Sequence, residues 1–144
     1  MNQSVAQQRR SPGAGFTLVE MLVVMVIISL IAALVGPRLF PKLGKGKQSA
    51  ARAQIELLGQ GLDHFRLDTG RYPATQEGLS ALLVNPGLEK WDGPYLKKEI
   101  PVDPWGKPYH YENPGSHGDY DLFSYGRDDA PGGEGEDADI VSWK

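Results

Sequence analysis

Residues 16–35, FTLVEMLVVMVIISLIAALV, form an apolar run that holds a single charged side chain, Glu20. As a helix, a run of this length extends roughly 30 Å, which matches the hydrocarbon thickness of a bilayer. A carboxylate near the start of such a helix costs about 3 kcal/mol in the membrane unless it is neutralised or paired. The run therefore predicts a membrane-spanning helix, and Glu20 is its candidate functional residue.

The residues ahead of the run are polar and basic, with no acid, and the small residue Gly15 directly precedes Phe16. An ordinary secretory signal has its small-residue cleavage site after the apolar run. Residues 32–37, AALVGP, form a poor site of that kind. A cut between Gly15 and Phe16 would instead create an α-amine four residues from Glu20. The alternative is a plain N-terminal membrane anchor with a chance glutamate.

The composition allows one globular domain of about 100 residues after the apolar run. The formal net charge is −3, with basic residues concentrated just after the run and acidic residues near the C-terminus. An acidic chain binds nucleic acid poorly, because affinity for phosphates depends on Lys and Arg. The chain has no cysteine, which excludes disulfides, thiol catalysis and cysteine-based zinc sites.

Helical periodicity resumes after the apolar run and continues to about residue 69. The Gly-Pro pair at 36–37 and Pro41 predict a kink or local melting, because proline removes a backbone donor and clashes with the preceding turn. Gly70 suits the left-handed position that follows a helix end. Gly59 and Gly61 permit close approach of another element. The predicted buried stripe of this amphipathic helix consists of Ile55, Leu58, Leu62 and Phe65.

The rest of the chain predicts a small head. A second helix is expected from Thr75 to the Asn-Pro-Gly sequence at 85–87, because Thr75 can cap it and Glu77 favours its N-terminus. Three short strands are expected at residues 107–112, 120–125 and 139–143. The predicted fold class is α+β, with a long N-terminal α-helix packed on a small three-stranded antiparallel sheet.

An acidic stretch near the C-terminus has the clearest chemistry. Its aspartates lie close together in the sequence, and their carboxylates repel one another unless they are solvated or bridged by a cation. Oxygen donors without Cys or His favour calcium over zinc. The spacing is not that of an EF-hand, and Arg127 lies among the acids. A calcium site and a solvated acidic loop both stay open. The four aspartates that flank the Gly-rich hairpin at 130–136 are Asp128, Asp129, Asp137 and Asp139.

Patterns typical of enzymes are weak in this chain. His64 lies on the predicted helix, and the spacing of His110 and His117 fits no zinc or triad pattern. The sequence has no G-x-S-x-G nucleophile motif and no phosphate-binding loop. The sequence therefore predicts a protein that is not an enzyme.

Two sets of motifs resemble known families. The GFTLVE sequence at 15–20 resembles the class III signal of type IV pilins and pseudopilins. The later motifs resemble the major pseudopilins of type II secretion systems, the general secretion pathway protein G family. Of these the PVDPWGKPY block is the most specific, and we interpret it as a rigid turn in which Asp103 accepts backbone donors and Trp105 anchors the loop. The motifs are RYP at 71–73, TQEGL at 75–79, LKK at 96–98, PVDPWGKPY at 101–109, YDLFSYG at 120–126 and DADI at 137–140.

The resemblance implies a type IV pilin-like fold in four segments: a cleaved leader at 1–15, a transmembrane and assembly helix at 16–36, an amphipathic helical stem at 37–70, and a globular head at 71–144. It implies cleavage between Gly15 and Phe16, with N-methylation of Phe16. We predict that Glu20 acts in assembly, where its carboxylate would neutralise the Phe16 amine of a neighbouring subunit. The implied calcium ligands are the side chains of Asp128, Asp137 and Asp139 and the backbone carbonyl of Tyr125.

The implied function is structural: a subunit of the periplasmic pseudopilus that drives export of folded proteins across the outer membrane. The implied partners are further copies of the chain in a helical homopolymer, minor pseudopilins, an inner-membrane assembly platform with its cytoplasmic ATPase, and prepilin peptidase. Nucleic acid is not expected.

The implied location is the bacterial inner membrane, crossed once, with the N-terminus cytoplasmic and the head periplasmic. Counting Lys and Arg around the run favours the opposite orientation. The alternatives in function are a major type IV pilin, many of which close a C-terminal loop with a disulfide, and a membrane-anchored periplasmic binding protein or enzyme.

Overall fold

The computed structural model describes residues 15–144, so all but the last residue of the expected leader lies outside the described part of the chain. The α-helix of this part is α1, Leu18–Thr69. The helix continues through the Gly-Pro pair at 36–37 and through Pro41, so the local melting predicted there is not observed. A proline removes one hydrogen bond of the helical ladder, and the turns on either side can still form. Backbone contacts divide the chain into two compact units, Met1–Leu39 and Phe40–Lys144.

The described part of the first unit keeps its apolar side chains on the outside. The most apolar 18-residue window of α1 has a mean hydropathy of 2.9, and none of it is buried within the protein. Within residues 15–144, α1 is the one helix that is long and apolar enough to cross a membrane. An apolar surface of this size requires cover from outside the chain, such as lipid or another subunit.

The later part of α1 supplies one wall of the core in the second unit. The predicted stripe is confirmed, since Ile55 is 4% exposed and Leu58, Leu62 and Phe65 are fully buried. Gly61 permits close packing, because a Cβ added there would lie 3.3 Å from Leu96 Cδ2. The helix ends as predicted at Gly70, which has φ 81° and donates its N–H to the Arg66 carbonyl at 2.8 Å.

The prediction of a second α-helix from Thr75 is wrong. Residues 75–78 form turns, and a short 3-10 helix, Leu79–Leu82, follows them. Gly78 has φ 60°, which a right-handed helix does not accept. Glu77 does not serve a helix N-terminus either, because its carboxylate accepts the Ala74 N–H and two hydrogen bonds from Arg71, all at 2.7 Å. The Arg71 bonds hold the pKa of the Glu77 carboxyl below its usual value, against the effect of burial.

Three antiparallel strands form the sheet of residues 15–144, in the order β1-β2-β3. Each strand lies inside its predicted range but is shorter: β1 is His110–Glu112, β2 is Asp121–Ser124 and β3 is Ile140–Val141. Tyr111 pairs with Leu122, and Ser124 pairs with Ile140. Side chains of the three strands join the stripe of α1 in one buried cluster, which confirms the α+β class.

The PVDPWG block forms a turn around a buried carboxylate. Asp103 is 3% exposed, and its Oδ1 accepts the backbone N–H groups of Trp105 at 3.0 Å and Lys107 at 2.8 Å. The Ser124 hydroxyl donates to Asp103 Oδ2 at 2.6 Å. Because Ser124 belongs to β2, the carboxylate joins this loop to the sheet. The interpretation of Asp103 as an acceptor of backbone donors is therefore confirmed.

Candidate functional site

The candidate processing residues lie just ahead of α1. Gly15 and Phe16 are in irregular backbone, and the Phe16 side chain is 81% exposed. A Cβ added to Gly15 would meet no atom within 4 Å. The predicted cleavage position therefore stands clear of the residues that the structure describes.

Glu20 forms a capping box with Thr17 at the start of α1. Glu20 Oε2 accepts the Thr17 backbone N–H at 2.9 Å and the Thr17 hydroxyl at 3.2 Å. The Glu20 N–H donates to Thr17 Oγ1 at 3.1 Å. This reciprocal pattern satisfies N–H groups that have no acceptor within the helix. Thr17 was not predicted as a capping residue, although its T-x-x-E spacing to Glu20 is the pattern that indicates one.

The acidic loop between β2 and β3 closes tightly at Gly126. The Arg127 N–H donates to the Glu136 carbonyl at 2.9 Å. A Cβ on Gly126, which has φ 72°, would lie 2.6 Å from the Glu136 carbonyl oxygen and 2.9 Å from that of Ala138. Only glycine fits this position. Backbone carbonyl oxygens thus converge on the base of the loop.

The aspartates of the loop have separate partners. Asp137 accepts two hydrogen bonds from Arg127, from Nε at 2.8 Å and from Nη2 at 2.9 Å. Hydrogen bonding to Asp137 raises the pKa of the Arg127 guanidinium. Asp128 and Asp139 each accept a backbone N–H of the loop, at 3.2 Å and 2.9 Å. Asp129 lies 3.8 Å from the Lys107 ammonium. In the described part of the chain, no three acidic or histidine side chains converge into a metal cluster.

The donor chemistry of the loop fits a hard cation, because its carboxylates and backbone carbonyls are all oxygen ligands. The arrangement does not offer Asp137 to an ion, since Arg127 contacts both of its oxygens. An ion at Asp137 requires Arg127 to leave. Arg127 was expected to lie among the acids, but its pairing with Asp137 was not predicted, because no spacing rule relates residues across an irregular loop.

Glu136 connects the acidic loop to the helical stem. Its Oε2 accepts the Trp105 indole N–H at 3.1 Å and lies 4.0 Å from Lys47 Nζ. Gly44 provides the space, since a Cβ there would lie 2.6 Å from Glu136 Cγ. The Gln48 side chain donates to a loop carbonyl 87 positions away in the sequence. The sequence analysis missed this contact, and no local pattern could have predicted it.

The histidines lie on separate elements: His64 on α1, His110 in β1 and His117 in the loop before β2. His117 Nδ1 lies 2.9 Å from Asp121 Oδ2, and its ring stacks on Trp143 with centroids 4.0 Å apart. Burial opposes the charge of Asp121, but hydrogen bonds from His117 and from two backbone N–H groups hold its pKa below the usual value. His117 thus contacts both Trp143 in the C-terminal tail and Asp121 in β2.

A long helix, apolar and then amphipathic, with a T-x-x-E start and a small antiparallel head, defines a type IV pilin-like protein. The chain is similar to a solved structure described as the major pseudopilin from the type 2 secretion system of enterohaemorrhagic Escherichia coli. The TM-score is 0.60 and the identity is 37%, over 74% of this chain and 95% of that one.

Sequence comparisons agree with the structural one. The family model for type II secretion system protein G matches residues 38–143, and the prokaryotic N-terminal methylation motif matches residues 10–36. The type II secretion system core protein G of Pseudomonas aeruginosa is 43% identical, over 94% of this chain and 98% of that protein. The core protein G of Vibrio cholerae is 42% identical, over 90% of each chain. The chain belongs to the type II secretion system protein G family.

Proposed function

We propose that the chain is the repeating structural subunit of a type II secretion pseudopilus, which drives export of folded proteins across the outer membrane. Beside family membership, one observation carries this proposal: the apolar side chains of residues 18–35 have no cover within the described chain. Lipid would cover them before assembly. Neighbouring copies of the same helix would cover them in a head-to-tail polymer. The role is structural, and we assign no catalytic activity.

The same proposal divides the chain into a leader at 1–15, a membrane and assembly helix at 16–36, a stem at 37–70 and a head at 71–144. Prepilin peptidase would cut between Gly15 and Phe16, and the new Phe16 amine would be methylated. The match of the methylation motif to residues 10–36 supports this, because it spans the junction. The exposure of Phe16 also supports it.

Glu20 would act in assembly. The capping box with Thr17 holds its carboxylate on the first turn of α1, four residues from the amine that cleavage would create. In a filament core, that carboxylate would neutralise the Phe16 amine of the next subunit. Removing one member of a buried charge pair leaves the other uncompensated, at a cost of about 3–5 kcal/mol.

The subunit would cross the inner membrane once, with its N-terminus in the cytoplasm and its head in the periplasm, and would pass into the pseudopilus on assembly. Its partners would be other copies of itself, minor pseudopilins and the inner-membrane platform with its ATPase. The apolar span of α1 supports the single crossing. The orientation follows from the cytoplasmic position expected of a leader.

We further propose that the acidic loop binds one calcium ion through the side chains of Asp128, Asp137 and Asp139 and the Tyr125 carbonyl. The oxygen-only donor set of the loop supports this proposal, as does the convergence of backbone carbonyls at Gly126. The ion would neutralise the carboxylates and tie the ends of the loop together. Magnesium should bind to this loop less tightly than calcium, because it needs tighter octahedral geometry and gives up water reluctantly.

The test of the main proposal is Glu20→Ala in the full chain, expressed with a complete type II secretion system. We expect a processed, membrane-inserted protein with a folded head and few or no filaments. The measurements are filament counts by electron microscopy, membrane fractionation, intact mass and a thermal melt of the head. Filaments and secretion at the normal level would refute the role of Glu20.

Ser29→Ala is the matched control. Ser29 is a second polar residue of the apolar helix, and its hydroxyl is satisfied within the helix by the Met25 carbonyl at 2.8 Å. This variant should assemble normally.

An intact mass that still includes residues 1–15, in a host with prepilin peptidase, would contradict the proposed cleavage.

A further inference from the structure

The loop that is proposed to bind calcium already contains a cation. Arg127 lies directly after Gly126, and its guanidinium makes a two-pronged contact with Asp137, at 2.8 and 2.9 Å. Paired hydrogen bonds of this kind are among the stronger and more directional contacts of a carboxylate. The backbone of Arg127 also belongs to the closure, since its N–H donates to the Glu136 carbonyl. Arg127 therefore joins both ends of the loop through its main chain and its side chain.

We propose that Arg127 is a built-in counter-ion that closes the acidic loop in place of calcium, so that the arginine and the ion compete for Asp137. The part of this inference that concerns the ion rests on the proposed calcium site. The closure by Arg127 rests only on the observed contacts. The protein then has two closed forms of the loop, one held by Arg127 and one held by the ion.

The exchange needs little movement. The Arg127 side chain is 60% exposed, so it can turn into solvent when an ion takes its place, while Asp137 is 28% exposed and stays with the loop. Exposed ion pairs are weak, because water and salt screen them. Displacement of Arg127 should therefore weaken calcium binding by no more than a few-fold.

The competition has a consequence at low calcium. A loop that depends on an ion alone loosens when the ion leaves, because its carboxylates repel one another. Here Arg127 continues to neutralise Asp137, and Asp128 and Asp139 keep their backbone hydrogen bonds. The loop should stay closed without calcium. The stability of the head should therefore depend on calcium less than it would with a neutral residue at position 127.

The test uses the full chain in detergent, with Arg127→Gln as the variant and Arg66→Gln as the control. Arg66 also pairs with an aspartate, Asp119, at 2.8 Å, but outside the acidic loop, so the control makes the same change in net charge. Calcium affinity is measured by calorimetry. Thermal melts in calcium, magnesium and chelator are followed by the near-ultraviolet dichroism of the tryptophans, all of which lie in the second unit.

We expect Arg127→Gln to bind calcium a few-fold more tightly than the wild type, and Arg66→Gln to bind it as tightly as the wild type. In chelator, Arg127→Gln should melt lower than the wild type. Calcium should then raise its melting temperature by more than it raises that of the wild type.

Two outcomes would overturn the inference, and only the second would also contradict the proposed calcium site. Equal or weaker calcium binding by Arg127→Gln overturns the competition and leaves the calcium site standing. If neither the wild type nor Arg127→Gln binds calcium, the proposed calcium site is wrong. The proposed competition between Arg127 and the ion is then wrong as well. Filament assembly would still be judged by the Glu20 variant.

Discussion

The two units of the chain place their apolar side chains in opposite ways. In the first unit Phe16, Leu18 and Leu34 are each more than two-thirds exposed, whereas in the second Leu58, Leu62 and Phe65 are fully buried on the same helix. The first pattern needs lipid or a neighbouring subunit, and the second builds a core within the chain. One helix thus serves association in its first half and folding in its second. Substitutions in the two halves should change different measurements.

Polar groups follow the same division. The Glu20 carboxylate contacts its own capping residue and is otherwise exposed within residues 15–144, and the further partner that we propose for it belongs to a neighbouring subunit. The carboxylates of Asp103 and Asp121 are buried in the head and are satisfied there. No side-chain nitrogen or oxygen buried within residues 15–144 lacks a hydrogen-bond partner. The head therefore needs no partner to satisfy its interior, which suits a module that folds before it assembles.

The largest expected effect comes from the end of α1. Phe65→Ala removes a fully buried ring that packs edge-on against Tyr95, with centroids 5.7 Å apart, and should destabilise the head by about 3–5 kcal/mol. Leu67→Ala, two residues on, removes a side chain that is 78% exposed and should change stability by less than about 0.5 kcal/mol. Urea unfolding followed by tryptophan fluorescence measures both.

Membrane insertion should be normal in both variants, because the first unit is untouched. If Phe65→Ala unfolded no more easily than Leu67→Ala, the division between an associating half and a folding half of α1 would be wrong.

The sequence predicted those features that follow from periodicity or from one residue's chemistry. Ile55, Leu58 and Leu62 were placed on a buried face by spacing alone, and Asp103 was recognised as an acceptor of backbone donors. The helix from Thr75 failed because Gly78 takes a positive φ, and local propensity does not reveal that Glu77 has Arg71 as its partner. The strands were predicted too long, since pairing partners decide where a strand ends.

The side-chain contacts of the acidic loop could not be predicted from the sequence either. Composition identified its aspartates, but not that Arg127 holds Asp137 or that Glu136 reaches the stem at Gly44. These contacts depend on how an irregular loop folds back on the head. No helix or strand period relates the residues involved. The family resemblance implies a set of calcium ligands, but only the side-chain placement shows that one of these residues, Asp137, is bound to Arg127.

An effect of intermediate size is expected from alanine substitutions at two glycines of the stem, Gly44 and Gly46, which should change the stability of the head differently. Gly46→Ala should stabilise the head by up to about 1 kcal/mol, because alanine favours a helix and no atom lies within 4 Å of the new Cβ. Gly44→Ala gains the same preference but puts its Cβ 2.6 Å from Glu136 Cγ. Glu136 must then move, which disturbs its hydrogen bond to Trp105, and such a bond is worth about 1 kcal/mol. The variant should therefore show no gain, or a loss.

Urea unfolding of the two alanine variants in parallel measures this difference, since both make the same change on the same helix. The result also locates where the folding half of α1 begins. Equal stability of both variants and the wild type would mean that the stem unfolds apart from the head around residues 44–46.

The smallest expected effect is a pH dependence at the start of β2. Hydrogen bonds from His117 and the backbone hold the pKa of Asp121 below its usual value, near 4, although burial opposes its charge. A lowered folded pKa means that the charged carboxylate stabilises the head above about pH 4, and that this contribution is lost as the pH falls through the folded pKa.

His117→Gln removes the imidazole that contacts Asp121 and should raise the pKa of that carboxyl towards its ordinary value, so that the loss begins at a higher pH. Carboxyl carbon shifts of Asp121 during an acid titration measure the change, and urea unfolding at about pH 3 and about pH 6 gives the matching stabilities. His64→Gln, an exposed histidine of α1, is the control and should leave both unchanged. An Asp121 pKa shift confined to His117→Gln would show that this contact holds the carboxylate at the start of β2. An unchanged Asp121 pKa would mean that the backbone N–H groups of Ser116 and His117 alone stabilise the charged carboxylate.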